Sequence, residues 1–435
     1  MRTVGVLAVA WLGLLGVVGW APAHADVQVN TFTTSSQYSP AVATDADGDF
    51  IVVWASLGSD GTDSDGFSIQ GQRFSADGSP AGAQFQVNAY TSGSQRSPEV
   101  SIDADGDAVV VWESDISPGG DSSNSSIQGQ RYASDGSPVA SQFQVNTYTS
   151  GPQQSPAVAV DADRDFVVTW TSQNAGGSDS SSYSIQGQRY ASDGSAIAAE
   201  FQVNTYTSGE QTSSSVGMDS DGDFVVAWRS ATSTGADTSA DSVQARRFAS
   251  DGSAVAGQFE VNGFTTGVQT SPSVAVDADG DFVIAWMSAG SAGTDSDAYS
   301  VQGQRYASDG TAAGSQFQAN TYTTSLQFDP SVAMDAGGGF VITWNSSGSA
   351  GTDTSGPSIQ LQRYASDGST VAAEFQVNNV TSGFQDSPQI AVDADGDFVV
   401  VWTSSSSSGT DSSGYSVQKT DPGFVPVELV SFRVD

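Results

Sequence analysis

The phrase Ser39-Pro-Ala-Val-Ala-Thr-Asp-Ala-Asp-Gly-Asp-Phe-Ile-Val-Val-Trp54 returns six more times along the chain in closely similar form. Its tryptophan recurs every 58 residues without insertion or deletion, at Trp54, Trp112, Trp170, Trp228, Trp286, Trp344 and Trp402. A fixed period of this length is typical of a repeat fold, in which each unit buries its apolar face against its neighbours. The period therefore decides the architecture before any single residue is considered.

Each unit contains four short strand-like runs separated by turn signals, which in the first unit are residues 40–44, 50–54, 68–74 and 85–88. Acidic Asp-Gly turns separate the first run from the second and the third from the fourth. The second run, Phe50-Ile-Val-Val-Trp54, is continuously apolar, as expected for a strand covered on both faces. Four antiparallel strands repeated seven times predict a β-propeller, a fold with roughly four to eight blades.

The two ends of the repeat region complement each other. Val27-Gln-Val-Asn30 matches the fourth strand of the unit, and Tyr415-Ser-Val-Gln418 matches the third. The seventh blade thus lacks an outer strand that the N-terminal residues can supply, which closes the ring and hides its edges. An open β-solenoid is the alternative, but it needs capping repeats and gains nothing from complementary ends. The sequence predicts an all-β, seven-bladed propeller of four-stranded antiparallel blades over residues 26–420, closed by its N-terminal strand.

The repeated phrase also resembles a known group of repeats. Together with Ser-Ile-Gln-Gly-Gln-Arg-Tyr-Ala-Ser-Asp-Gly and Phe-Gln-Val-Asn, it is similar to propeller-type repeats of large secreted and surface proteins of bacteria. The resemblance covers nearly all of residues 26–419. It implies the fold and an exported location, but no defined activity, so it supplies no catalytic residues.

Residues 1–25 are predicted to be a Sec-type bacterial signal peptide. Arg2 precedes an apolar run from Val4 to Trp20, and Ala23-His-Ala25 is a small-residue cleavage pattern before Asp26. An uncleaved membrane anchor is the alternative, because the apolar run is long. After cleavage no remaining stretch is apolar enough to span a membrane, so we expect a secreted or cell-surface protein.

Residues 421–435 form a tail that departs from the repeat. The tail contains Pro426-Val-Glu-Leu-Val-Ser-Phe432, which is similar to segments that precede C-terminal sorting regions in some bacterial exported proteins. No apolar helix with a basic end follows it. A docked extra strand is the alternative interpretation.

Composition excludes several classes of function. The formal net charge is −36, which repels nucleic acid and anionic membranes, so we expect neither as a partner. The chain has no cysteine, and its one histidine, His24, lies in the predicted leader. Thiol chemistry, Ser-His-Asp triads and metal sites with His or Cys ligands are therefore excluded from the mature protein.

The acidic loop between the first two strands is a candidate calcium site. Alternate carboxylates on a tight loop can converge on calcium, as in the first half of an EF-hand loop, although the rest of that loop is missing. An ordinary Asp-Gly hairpin turn is the alternative. Blade 6 replaces the loop with Asp335-Ala-Gly-Gly-Gly339, and Arg164 intrudes in blade 3. The candidate ligands in the first two blades are Asp45, Asp47, Asp49, Asp103, Asp105 and Asp107.

Positions that differ between blades are better candidates for a ligand site, because identical scaffolding cannot build an asymmetric one. One variable position lies just before the first predicted strand and is expected to ring the channel mouth; a second follows the tryptophan, farther out. The first gives Tyr38, Arg96, Phe328 and Asp386, and the second gives Glu113 and Arg229. Aromatic rings offer stacking surfaces, and arginine offers planar hydrogen-bond donors. Random variation in solvated loops is the alternative.

The sequence favours a secreted binding or surface-interaction module that takes an extracellular glycan or protein and is monomeric. An extracellular polysaccharide-degrading propeller, hydrolase or lyase, is the first alternative, with Glu113, Asp329 and Asp386 as candidate carboxylates. No spacing selects a pair among them, and the constant blade length favours binding. We therefore assign no catalytic residue, and calcium is the only cofactor considered. A purely structural surface repeat protein is the second alternative.

Overall fold

The structure is a computed structural model that describes residues 25–420, except 59–60, 117–120, 122–123, 174–178, 180–181, 233–234, 238–239, 291–292, 296–297, 349–350, 407 and 413. The predicted leader and the tail thus lie outside the described residues, apart from Ala25. The described residues form strands and turns, with no helix, in seven four-stranded antiparallel sheets. The first strand of each sheet contacts the first strand of the next, and the seventh contacts the first. The protein is a seven-bladed β-propeller, as predicted.

The blades follow one another along the chain, each with its strands in sequential order. Blades 1 to 3 are β2–β5 (Gln37–Thr44, Phe50–Leu57, Phe67–Phe74, Phe85–Gln86), β6–β9 (Gln95–Ile102, Ala108–Ser114, Ser126–Tyr132, Pro138–Gln144) and β10–β13 (Gln153–Val160, Phe166–Gln173, Tyr183–Tyr190, Ala196–Gln202). Blades 4 and 5 are β14–β17 (Gln211–Met218, Phe224–Ser230, Ser242–Phe248, Phe259–Glu260) and β18–β21 (Gln269–Val276, Phe282–Ala289, Tyr299–Tyr306, Phe317–Gln318). Blade 6 is β22–β25 (Gln327–Met334, Phe340–Ser346, Ser358–Tyr364, Phe375–Gln376), and blade 7 is β26–β28 (Gln385–Val392, Phe398–Ser404, Ser416–Lys419) with β1 (Val27–Gln28).

The second strand of each blade is apolar on both faces because it is covered by the two neighbouring blades. In β3, Ile51 and Val53 pack in a cluster with blade 2, which includes Trp112. The alternate residues Val52 and Trp54 pack in a cluster with blade 7. Period-two alternation of the side chains therefore divides one apolar strand between two cores. Seven such clusters between blades replace a single central core.

The polar positions that are identical in every unit hold the blades together. Trp54 is fully buried, and its Nε1–H donates to Gln37 Oε1 at 3.0 Å. Asn88 Nδ2 donates to Asp63 Oδ2 at 2.7 Å, and Asn88 Oδ1 accepts from the Ile69 N–H at 2.8 Å. The same bonds recur in the other blades, as expected for buried polar groups that need partners.

The N-terminal strand closes the ring. Val27 and Gln28 pair with Lys419 and Gln418 of the seventh blade in an antiparallel ladder. Beyond this ladder, Asn30 Nδ2 donates to Asp411 Oδ2 at 2.9 Å across 381 positions of sequence. The predicted closure is therefore confirmed, down to the Asn–Asp bond that the other blades make internally.

No helix within the described part of the chain is long and apolar enough to cross a membrane.

Candidate functional site

A β-bulge interrupts the first strand of every blade at its third residue. In blade 1 the strand register shifts between Tyr38 and Ala41, and Ser39 has a φ of 49°, in the left-handed region. Bulges re-aim side chains, and left-handed non-glycine residues cost conformational energy and occur disproportionately at functional sites. The same conformation recurs, with φ of 49–57°, at Ser97, Ser155, Ser213, Ser271, Asp329 and Ser387.

These bulges line a cavity of about 390 Å³ on the propeller axis. Most of its lining is serine, proline and alanine, but Glu99, Asp329 and Gln389 break the sevenfold symmetry. Glu99 is half-buried, and its carboxyl group makes no hydrogen bond with another described residue. Burial raises the pKa of Glu99 to about 8. The channel lining therefore includes a carboxyl group, that of Glu99, whose pKa lies well above its ordinary value.

The residues predicted to ring the channel mouth lie one position away from it. Tyr38 and Arg96 sit inside the first strands, β2 and β6, rather than before them. The bulge turns the next residue of each strand into the channel instead. Tyr38 pairs with Ala55, and Arg96 pairs with Glu113. The two variable positions singled out in the sequence are thus cross-strand partners on one face.

Tyr38 and Arg96 belong to a cluster that spans three blades. The Tyr38 ring lies 5.1 Å from the ring of Tyr415 in blade 7 and 6.1 Å from that of Phe67 in blade 1. The guanidinium of Arg96, in blade 2, lies over Phe67 at 5.7 Å and pairs with Asp115 at 3.1 Å. The three rings are partly exposed, and Arg96 is exposed. We call Tyr38, Phe67, Arg96 and Tyr415 the aromatic–arginine cluster.

Phe328 and Asp386 lie on blades 6 and 7, beside the aromatic–arginine cluster in the ring order. Asp386 Oδ1 accepts hydrogen bonds from Asn345 Nδ2 at 2.6 Å and from the Ser387 N–H at 2.9 Å. Asp329 lies on the channel lining. Burial, followed by the negative charge of Asp386, raises the pKa of Asp329. The two carboxyl groups therefore have different environments, and the charge of one acts on the other.

The remaining two predicted residues, Arg229 and Glu113, have hydrogen-bond partners of their own. Arg229, in blade 4, pairs with Asp241 at 2.7 Å and donates to Thr212 Oγ1 at 3.1 Å. Burial raises the pKa of Glu113, while hydrogen bonds from Ser125 and from the Ser155 backbone lower it. Arg229 does not join the aromatic–arginine cluster, whereas Glu113 is the cross-strand partner of Arg96. The structure thus brings together Tyr38, Arg96 and Glu113, and places Asp386 on blade 7 and Phe328 on blade 6.

The acidic loops have a structural role on the opposite face. Asp45 Oδ1 accepts from the N–H groups of Asp47 at 3.1 Å and Asp49 at 2.9 Å, and Asp49 Oδ1 accepts from the Ala76 N–H at 2.9 Å. These bonds cap two turns of the blade. No group of three or more Asp, Glu or His side chains in the described residues is placed to hold a metal ion. Calcium binding by these loops remains a prediction.

In blade 2 the three candidate ligands contact an arginine instead. Asp103, Asp105 and Asp107 each lie 3.1 Å from one nitrogen of the Arg164 guanidinium, which comes from blade 3. The loop conformation thus directs three carboxylates at one cation, and here that cation belongs to the chain itself.

Sequence reasoning missed Phe67, Tyr415 and Glu99. Phe67 and Tyr415 occupy a third variable position, at the start of the third strand, where the other blades have Ser125, Tyr183, Asp241, Tyr299 and Pro357. Glu99 occupies a fourth variable position, two residues after the bulge serine. Variation between blades is the signal that finds both positions, since it is the signal that identified Tyr38 and Arg96.

No family model matches the chain, and a comparison with curated proteins finds no relative. Among solved structures, a puromycin hydrolase covers 89% of this chain and 52% of its own, at 13% identity and a TM-score of 0.52. An α-L-arabinofuranosidase from Fusarium graminearum covers 91% and 96%, at 10% identity and a TM-score of 0.48. A protein of unknown function from Dyadobacter fermentans covers 74% and 93%, at 12% identity and a TM-score of 0.48. Similarity at this level shows the propeller fold alone.

Proposed function

We propose that this protein binds an extracellular carbohydrate on the channel-mouth face. The observation that carries this proposal is the aromatic–arginine cluster, in which partly exposed rings from blades 7 and 1 adjoin the exposed guanidinium of Arg96 from blade 2. The flat apolar faces of sugar rings stack on aromatic side chains, and hydroxyl or carboxylate groups accept hydrogen bonds from arginine. The cluster combines both chemistries within one patch.

Asymmetry supports the choice of this face. The other face presents nearly the same Asp-Gly turn in every blade, whereas the aromatic–arginine cluster occurs once. A cation such as Arg96 is also rare on a chain with a net charge of −36, so acidic sugars are attracted there more than elsewhere. Export and a monomeric state remain predictions that accompany this function.

Hydrolysis of the bound carbohydrate is the second candidate function, and the Asp329–Asp386 pair favours it. Asp386 accepts hydrogen bonds from two donors, while burial raises the pKa of Asp329. Pairs with divergent environments supply the acid and the base of glycoside hydrolysis. Asp329 would give its proton to the leaving glycosidic oxygen, and Asp386 would take a proton from the attacking water. The Fusarium enzyme adds nothing to this point, because its similarity does not extend beyond the fold.

A glycan array combined with a polysaccharide turnover assay tests both candidates. We expect binding to a restricted set of glycans by the wild-type protein. Turnover that is lost in Asp329→Asn while binding remains would favour the hydrolase. Binding without turnover would leave a binding module, and the absence of glycan binding would favour a protein ligand or a purely structural surface role.

A further inference from the structure

The contact between Arg164 and blade 2 shows that one of the acidic loops binds a guanidinium group. Three nitrogens of one guanidinium each meet a different carboxylate, those of Asp103, Asp105 and Asp107, at 3.1 Å. A planar group with donors in several directions satisfies this arrangement, whereas the point charge of an ammonium does not. Within the described residues, no cluster of three or more acidic side chains has the spacing needed to bind a metal ion.

Arg164 also adopts a backbone conformation that arginine ordinarily avoids. Its φ is 69°, and every other blade has glycine at this position, with φ of 82–90°. The left-handed conformation is energetically unfavourable for a residue other than glycine. The ion pairs with blade 2 offset that cost. The contacts with the three carboxylates therefore stabilise the position of the guanidinium, which the local backbone conformation alone does not favour.

The cavity between blades 5 and 6 corresponds to the site between blades 2 and 3 that Arg164 occupies, but it has no arginine. It has a volume of about 440 Å³, and Asp277, Asp279 and Asp281 take the places of the three carboxylates. Gly338 takes the place of Arg164, and Gly337 takes that of Asp163. Blade 6 therefore presents no side chain at these two positions, and the rest of its wall is Met334, Ser366 and Asp367.

A buried carboxylate points into this cavity. Asp277 is 8% exposed, and its Oδ1 accepts from the N–H groups of Asp279 at 3.0 Å and Asp281 at 2.9 Å. Its Oδ2 accepts no hydrogen bond from a described residue and lies 3.0 Å from where a side chain on Gly338 would begin. The equivalent oxygen of Asp103 is the one that contacts Arg164 Nε.

The neighbouring arginine of the wall is already engaged. Arg305 Nη1 donates to the Asp367 carbonyl at 2.7 Å, and Arg305 also donates to the Ser366 carbonyl. In the occupied cavity, Arg131 makes the same bonds to Ser192 and Asp193 beside Arg164. A second guanidinium therefore fits next to Arg305, as it does next to Arg131.

We propose that the cavity between blades 5 and 6 binds the guanidinium of an arginine from a basic segment of a partner protein, held by Asp277, Asp279 and Asp281. The net charge of −36 steers a basic partner toward this protein. The site lies on the face opposite the aromatic–arginine cluster, so both ligands can bind at once.

Hydrogen exchange of the full-length protein with a hepta-arginine peptide, at about 0.15 M salt, tests this proposal. We expect the peptide to slow exchange of the amides in residues 277–281 at least fivefold, in wild type and in Gly338→Ala. Gly338→Arg supplies its own guanidinium, so the peptide should have no effect on these amides. Residues 103–107, which already hold Arg164, are the internal control, and Ala256→Arg controls for the added charge.

Hepta-lysine should protect residues 277–281 at least fivefold less than hepta-arginine does. Equal protection by the two peptides, or protection that persists in Gly338→Arg, would show diffuse attraction to an acidic surface and overturn the proposal. Displacement of the peptide by micromolar calcium would identify a metal site instead. A tenfold gain in peptide affinity in Arg433→Ala would show that the chain's own tail is the occupant.

Discussion

Val27 on the outer strand of the seventh blade pairs with Lys419 on the third strand. At the equivalent position blade 1 pairs a phenylalanine on its outer strand with a residue other than lysine on its third strand. In blade 1 the partners are Phe85 and Gly71, where a Cβ atom on the glycine would lie 2.7 Å from the Phe85 ring, and blades 4 and 6 have Ala245 and Leu361 in place of the glycine. Lys419 is 1% exposed, and its Nζ lies 5.1 Å from the centre of the Phe74 ring. The lysine chain therefore fills the volume that the small Val27 leaves at the closure.

Because a small side chain at Val27 is combined with a large one at Lys419, substitutions at the two positions should have coupled effects on stability. Lys419→Gly should leave a cavity and cost about 2–4 kcal/mol of unfolding free energy. Val27→Phe should overpack the site and cost about 1–3 kcal/mol. The double variant restores the pairing of blade 1, so its cost should be at least about 1 kcal/mol below the sum. Chemical denaturation of the four proteins measures this coupling, and strictly additive costs would contradict it.

Glu99 should make stability depend on pH. Its folded-state pKa of about 8 lies above its ordinary value, so between pH ~4.5 and ~8 the folded protein holds a proton that the unfolded chain releases. Stability therefore falls as pH rises through this window. Glu99→Gln removes the effect: its melting temperature should match that of wild type near pH ~4.5 and exceed it at pH ~8. The same difference at both pH values would show that the carboxyl group does not titrate in this way.

The buried carboxylate of Asp63 should contribute more to the free energy of unfolding than the exposed carboxylate of Asp47. Its carboxylate accepts a bond from Asn88 at 2.7 Å in a buried setting, and Asp63→Ala leaves that amide without this partner. We expect a loss of about 1–3 kcal/mol in unfolding free energy. Asp47→Ala, an exposed carboxylate of the neighbouring loop, should change it by less than about 0.5 kcal/mol. Equal losses measured by urea denaturation would count against the structural role of the Asp63 position.

Much of the fold could be predicted from the sequence, because it follows from periodic burial. The tryptophan period sets seven blades, and the incomplete repeats at Val27 and Gln418 set the closure. The bulge could not be predicted, since Ser-Pro at residues 39–40 carries no sign that Ser39 adopts a left-handed conformation. That one conformation moves the channel lining from Tyr38 to the next residue, which is why the predicted site is displaced by one position.

The candidate site could be predicted only in part, for a related reason. Tyr38 and Arg96 stood out because they differ between blades, but their partners Phe67 and Tyr415 come from third strands that lie 29 residues or more away in the sequence. Contacts between blades depend on how the ring packs. The same limit applies to the contacts that Arg164 of blade 3 makes with the three carboxylates of blade 2. They too depend on how neighbouring blades pack.

Asp329 and Asp386 should respond differently to substitution if the glycan is hydrolysed. Asp329→Asn removes the proton donor and should lower turnover by about 100-fold or more while leaving affinity within about threefold. In wild type, turnover should fall as pH rises above the raised pKa of Asp329. A pH–rate profile measures this limb, and Glu113→Gln is the matched control. An unchanged rate in Asp329→Asn would exclude the pair.

The most direct test of the ligand face is binding of an array-selected glycan to Tyr38→Ala with Arg96→Ala. The Tyr38 side chain is partly exposed and that of Arg96 is 46% exposed, so the melting temperature should fall by only a few degrees at most. Affinity should fall at least 100-fold, because stacking and charge-assisted hydrogen bonds are lost together. The control, Arg229→Ala in blade 4, should bind within about threefold of wild type. Unchanged affinity in the double variant would contradict the assignment of the aromatic–arginine cluster as the binding site.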